Sequence, residues 1–207
     1  MSKQPDQPPA KGGYSRGYLP HLDQPGVLQA ITFRLADSMP ATRRAEWEEL
    51  IHIRDAAQQR ARLQHYLDAG YGACWLVRTP IARLVEEALL RFDGQRYRLL
   101  AWVIMPNHVH VLIETLPGHP LDHILHSWKS FTASKANAIL GRKGAFWHRD
   151  YYDRYIRDER HLERAVLYMH NNPVQAGLVD KPQDWPFGSA RLVDSLDATT
   201  TTPYVEG

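Results

Sequence analysis

A chain of 207 residues with 43% hydrophobic, 10% aromatic and 23% charged residues has the make-up of one globular domain with a sizeable core plus tails. No run approaches the apolar length of a membrane span, and the polar start over residues 1–13 lacks the apolar core of a signal peptide. The lone Cys74 excludes an internal disulfide, which points to a reducing cytoplasm, and a net charge of +2 is too small to argue for nucleic acid by itself.

Residues 1–18, rich in Pro, Gly and Gln, read as a disordered tail. Residues 27–35 alternate and predict a strand. Ser38 and Pro40 open a long helical region over 41–68, charged on most faces and with room for one break. Residues 71–78 carry no assignable pattern. Thr79-Pro80 starts another helix, in which Ile81, Leu84, Val85, Ala88 and Leu89 keep a 3.6-residue period up to the stop at Gly94. Residues 96–114 predict a hairpin through the centre of a sheet, with 99–104 as a fully buried strand and Pro106-Asn107 as the turn. The next helix spans 121–140, with Ile124, Leu125, Trp128 and Phe131 inward and Gly141 as its end. Residues 144–152 look extended. Asp158 is the expected N-cap of a last helix over 159–171, which Pro173 closes. Residues 184–187 form a compact loop, and 194–207 read as a flexible Thr-rich tail. One domain over 19–193 follows, α+β in class, with an antiparallel sheet and helices mainly on one face.

Two features carry chemistry. On a strand, His108 and His110 project from the same side, with backbones roughly 7 Å apart, and can converge on one divalent ion. Most His-x-His strands are simply a polar face, so a second element has to support the site. In the last helix, Leu162, Ala165, Val166 and Met169 form the inward stripe, and Tyr168, Asn172 and His161 lie along one border of it. Asn172 can offer an oxygen beside the two His; on helix physics alone, a core-edge Tyr and a C-cap Asn describe the pair better. The second feature is a stretch from His123 to Arg149 without Asp or Glu, bearing Lys129, Lys135, Arg142, Lys143 and Arg149 among Trp128, Phe131, Phe146 and Trp147. Cations for phosphates and rings for bases suit single-stranded nucleic acid, with Phe131 assigned instead to the core.

Met105-Pro-Asn-His-Val-His-Val-Leu-Ile-Glu114, then Phe146 to Asp158, then Leu167-Tyr-Met-His-Asn-Asn-Pro-Val-Gln-Ala-Gly-Leu-Val179, in this order, resemble the REP-associated tyrosine transposases. These are a branch of the single-tyrosine, His-hydrophobe-His transposases, IS200-like in kind, and the resemblance runs from about Gly17 to Arg191. It implies a ferredoxin-like domain, Mg²⁺ or Mn²⁺ held by His108 and His110, and Tyr168 as nucleophile. Asn172 stands where insertion-sequence relatives often carry Gln, one helical turn after the tyrosine, and is the implied third ligand. The implied activity is cleavage and strand transfer of single-stranded, hairpin-forming DNA through a 5′-phosphotyrosine. Arg142 and Lys143 are the first candidates for phosphate contact, followed by Arg149, Arg154 and Arg157, with Trp128 and Lys129 in the same stretch.

Two other readings are weighed beside it. A histidine-triad nucleotidyl hydrolase needs a third His two residues after His110, where Leu112 stands. A non-catalytic single-stranded nucleic-acid-binding module accounts for the basic stretch but leaves His108, His110 and Tyr168 idle. Monomer and homodimer both stay open.

Overall fold

The computed structural model describes residues 12–16, 19–23 and 26–193. Strands β1 (Gly12–Arg16) and β2 (Leu19–Asp23) pair antiparallel. Residues 12–16 are therefore not part of a disordered tail: backbone pairing needs no apolar pattern, so composition did not reveal it. The tail expectations for 1–11 and 194–207 lie outside the described residues.

The main sheet contains β3 (Leu28–Leu35), β4 (Tyr97–Ile104), β5 (His108–Thr115) and β6 (Trp147–Tyr155), in the order β4-β5-β3-β6 with every neighbour antiparallel. Helices α1 (Arg44–Ile51), α2 (Ala56–Asp68) and α3 (Thr79–Leu90) join β3 to β4, and α4 (Leu121–Ile139) joins β5 to β6. A strand, a helical crossover, a hairpin, a second crossover and a strand, paired in this order, form the ferredoxin-like arrangement. Helix α5 (Glu159–Gln175) follows. The long helical region breaks once, where the Asp55 side chain accepts from Gln58 N at 2.7 Å and starts α2.

The larger core lies between one face of the sheet and helices α3 and α4. Ile31, Phe33, Val109, Val111 and Ile113 meet Ile81, Val85, Leu125 and Trp128 there. Each such side chain removed from water contributes about 1.5–3 kcal/mol, which makes this face the main source of stability. Helix α5 covers the opposite face, where Met169 packs with Ala101, Val103 and Leu112. The α+β class holds, with α3 and α4 on one side and α5, with α2 beside it, on the other.

Three expectations change. Strand β4 is not buried throughout, because it is an edge strand: Arg98 and Leu100 are exposed, and a bulge interrupts pairing between Leu99 and Ala101. Its far half is covered by the segment after α5, with Ile104 N donating to Phe187 O at 2.8 Å and Trp102 N to Ser189 Oγ at 3.0 Å. Pro173 does not close α5, which continues to Gln175 with the proline inside its last turns. The proline removes one amide donor, yet Ala176 N still donates to Asn172 O at 3.0 Å and Leu178 N to Pro173 O at 2.9 Å. Phe131 is 45% exposed rather than core. The buried stripe of α4 runs Leu121, Ile124, Leu125, Trp128, Thr132, Ala136, and at about 100° per residue position 131 falls outside it.

Candidate active site

Strand β5 alternates so that Val109, Val111 and Ile113 enter the larger core while His108 and His110 face α5 and α2. Both imidazoles are buried, and their Nε2 atoms stand 3.1 Å apart. Burial alone pushes His110 down to about 3, and burial with the neighbouring His110 holds His108 well below the ordinary imidazole range. Both rings are therefore neutral at physiological pH.

The buried Asn107 decides which nitrogen of His108 carries the proton. Its Nδ2 donates to Tyr71 O at 3.0 Å, and a carbonyl can only accept, so Oδ1 is left facing His108 Nδ1 at 2.7 Å. His108 must donate from Nδ1, which leaves a lone pair on Nε2 aimed into the site. His110 Nδ1 lies 2.7 Å from Thr32 Oγ1 on β3, directly opposite in register. A hydroxyl both donates and accepts, so Thr32 supports either tautomer of His110.

Helix α5 brings the tyrosine to this face. Asp158 caps it, accepting from His161 N at 2.8 Å. Tyr168 lies with its ring centroid 5.7 Å from that of His110. The fully buried Asn172, one turn on, points Nδ2 at the Tyr168 hydroxyl at 3.3 Å, and its Oδ1 has no hydrogen-bond partner among the described residues. Burial raises the Tyr168 hydroxyl above its usual range, the Asp68 charge adds to this, and the Asn172 bond opposes it. Left to itself the hydroxyl stays protonated.

Beside these groups lies a cavity of about 640 Å³, lined by His110 and Tyr168 together with Gln64, Tyr152, Arg154 and Arg164. Asp68, at the end of α2, brings Oδ1 to 3.9 Å from His108 Nε2 and accepts from Gln64 Nε2 at 2.7 Å. Burial pushes its carboxyl up to about 6 against the pull of Gln64 and His65.

The structure thus gathers His108, His110, Tyr168, Asn172 and Arg154 at one site, and separates the remaining candidates. Trp128 does not face solvent: it is 3% exposed, stacks on Phe33 and donates Nε1 to Tyr97 Oη at 3.0 Å. As part of the main core it cannot stack on a base, and Phe146 and Trp147 are buried with it. Lys129 Nζ donates to His148 O and Arg149 O, both at 2.7 Å, tying α4 to β6. Arg142 donates to Ala145 O at 3.2 Å in the turn after α4; Lys143 and Arg149 are exposed, and Arg157 lies over the Tyr155 ring.

Three further tyrosines, Tyr151, Tyr152 and Tyr155, lie near Tyr168 in sequence, on β6, which pairs with β3 apart from a register shift between Phe33 and Leu35. Tyr151 points into the main core and Tyr155 is exposed, whereas Tyr152 lines the cavity opposite Thr32. Sequence reasoning missed Asn107, Thr32, Arg164 and Asp68. Arg164 was legible, one turn before Tyr168 on the same helix border. Asp68 had no local signal, because it meets the histidines only through the fold.

Residues 78–172 match the family model described as "Transposase IS200 like", a span that contains His108, His110, Tyr168 and Asn172 and ends before the C-terminus of α5. A protein of Haemophilus influenzae assigned as a REP-associated tyrosine transposase is 28% identical over 104 residues, 45% of this chain; the match spans 58% of that relative's length. Among solved structures, a REP-associated tyrosine transposase bound to a REP hairpin superposes with a TM-score of 0.55 and 17% identity, covering 90% of each chain. That likeness speaks for the fold. Over residues 78–172, a little under half of its length, the chain is similar to the IS200-like transposases.

Proposed function

We propose that this chain cleaves and rejoins single-stranded, hairpin-forming DNA, with Tyr168 as nucleophile and a divalent cation held by His108, His110 and Asn172. The observation that carries the reading is the meeting of the His pair with Tyr168 across two elements, ring to ring at 5.7 Å, at the wall of a cavity. The donor set fits a cation. Two neutral imidazole nitrogens lie 3.1 Å apart, close to the roughly 3.0 Å expected of neighbouring ligands about 2.1 Å from one ion. The partnerless Asn172 Oδ1 is a buried oxygen that such an ion would satisfy. An amide oxygen and open positions suit Mg²⁺ or Mn²⁺. When bound, the ion neutralises charge developing on the scissile phosphate.

The side chains supply the rest. Arg154 and Arg164 at the cavity wall hold the phosphate by charge-assisted hydrogen bonds. Tyr168 Oη, deprotonated as it attacks, forms a bond to phosphorus while the bond from phosphorus to the 3′ oxygen breaks. The 3′ oxygen leaves as a hydroxyl, and a 5′-phosphotyrosine remains. Attack by another 3′-OH reverses the step and joins strands, so no nucleotide hydrolysis is needed. Binding to a hairpin is what the name of the structural relative describes, and the exposed Lys143, Arg149 and Phe131 give this chain a surface for it.

The test is a labelled single-stranded hairpin incubated with protein and Mn²⁺, run on a denaturing gel, with the DNA-linked peptide mapped by mass spectrometry. The adduct is expected on Tyr168 and lost in Tyr168→Phe, while DNA binding survives. An adduct on Tyr152 would move the nucleophile to β6. Tight binding with no adduct on any tyrosine would favour the non-catalytic binding module.

A further inference from the structure

We propose that Asp68 is the acidic member of the cation site, contributed by α2 from outside the family-matched residues 78–172. The inference rests on the cation reading above and adds to it a ligand that the matched residues lack.

The first support is an electrostatic conflict. Asp68 Oδ1 stands 3.9 Å from His108 Nε2. Because Asn107 fixes the His108 proton on Nδ1, that approach sets a carboxylate oxygen against a lone pair, with no proton between them. Two acceptors held face to face in a buried site call for a cation. The second support is that Asp68 has, among the described residues, no direct cationic partner, only the weaker pull of His65. Its side chain is 18% exposed, its hydrogen bond comes from the neutral Gln64 amide, and among the described residues no Lys or Arg pairs with it. The third is spacing. At 3.9 Å from His108 Nε2, Oδ1 stands about 0.9 Å beyond the roughly 3.0 Å of neighbouring ligands around an ion with bonds near 2.1 Å, within reach of a small side-chain movement.

Without Asp68, the ligand set of His108, His110 and Asn172 is neutral and leaves the full charge of a divalent ion uncompensated by protein. Among the described residues no three His, Cys, Asp or Glu side chains stand close enough to hold a metal ion as they are, so Asp68 has to move toward the His pair to join them. The Gln64 amide, at 2.7 Å, holds the carboxylate to one side. The ion's charge is what draws it in.

The experiment is a Mn²⁺ titration of the full chain, followed by the electron paramagnetic resonance signal of free hexaaqua Mn²⁺, with no DNA present. Asp68→Asn keeps the shape and an acceptor for Gln64 but removes the charge, and is expected to weaken Mn²⁺ binding about 10- to 100-fold. Asp68→Glu, which keeps the charge, recovers part of that loss. Circular dichroism checks each fold, and Asp68→Ala serves as a second neutral variant if the Asn variant does not fold. Wild-type affinity in a folded neutral variant, with binding lost in His108→Ala, would overturn the role of Asp68 and leave the two-His site standing. Wild-type affinity in His108→Ala would overturn the cation reading itself.

Discussion

Replacing Asn107 by Ala removes a buried side chain that does two things at once, and the two are separable. Its Nδ2 bond to Tyr71 O and its Oδ1 bond to His108 Nδ1 each contribute roughly 0.5–1.5 kcal/mol net. Removal also leaves the His108 donor buried without an acceptor, for a further 1–3 kcal/mol or so, giving a total of about 2–6 kcal/mol. The second effect is on the tautomer: without Oδ1 nothing holds the His108 proton on Nδ1. Losing a partner of this kind typically weakens metal binding about 10- to 100-fold. Guanidinium unfolding measures the first effect and Mn²⁺ titration the second. Asn107→Asp separates them, because a carboxylate still accepts from His108 but cannot donate to Tyr71 O. It is expected to lose stability while keeping most of its Mn²⁺ affinity. Full Mn²⁺ affinity in Asn107→Ala, alongside the stability loss, would refute the tautomer argument and leave Asn107 a structural residue only.

Trp128→Ala should destabilise the fold by about 3–5 kcal/mol and leave hairpin affinity per folded molecule unchanged; a loss of affinity without a loss of stability would return this ring to the DNA surface. Neutralising Arg142 and Lys143 together should weaken binding to single-stranded DNA and flatten its salt slope by about 1.4, two contacts at about 0.7 each, and an unchanged slope would remove them from the interface. His148 carries the pH prediction. Burial, with Arg34 nearby, lowers it to about 4, so the unfolded chain takes up a proton that the folded chain refuses as pH falls from about 6.5 toward 4. Its share of stability is complete above pH 6.5 and declines through that window. His148→Gln should therefore unfold with a shallower pH dependence there, and identical curves for both proteins would contradict the assignment.

The order of elements was legible because each has a local cause. Alternation gave β3 and β5, Thr79-Pro80 began α3, Asp158 capped α5, and Gly141, with a φ of 62°, ended α4 in a conformation glycine adopts freely. The placement of His108 and His110 on one face followed from strand geometry, and that of Tyr168 beside Asn172 from helix geometry. Tertiary decisions were not legible. Phe131 and Trp128 are both aromatic in the same helix, and only the neighbours of α4 decide that Trp128 enters the core and Phe131 does not. Pro173 carries a local signal to stop, which the packing of α5 on the sheet outweighs. Tyr152 gained its place in the cavity from pairing with β3, and Asp68 from the return of α2 to the sheet.

The alternation of β5 separates what keeps the chain folded from what would make it react. Val109, Val111 and Ile113 hold the strand in the larger core, while the histidines stand on the opposite face and add nothing to that core. A descendant that exchanged both histidines for apolar residues of similar bulk would keep its sheet, its main core and its exposed cations. Loss of chemistry is then not selected against through loss of folding. On the proposed function, a lineage with this architecture can shed the reaction and keep the surface proposed to bind nucleic acid.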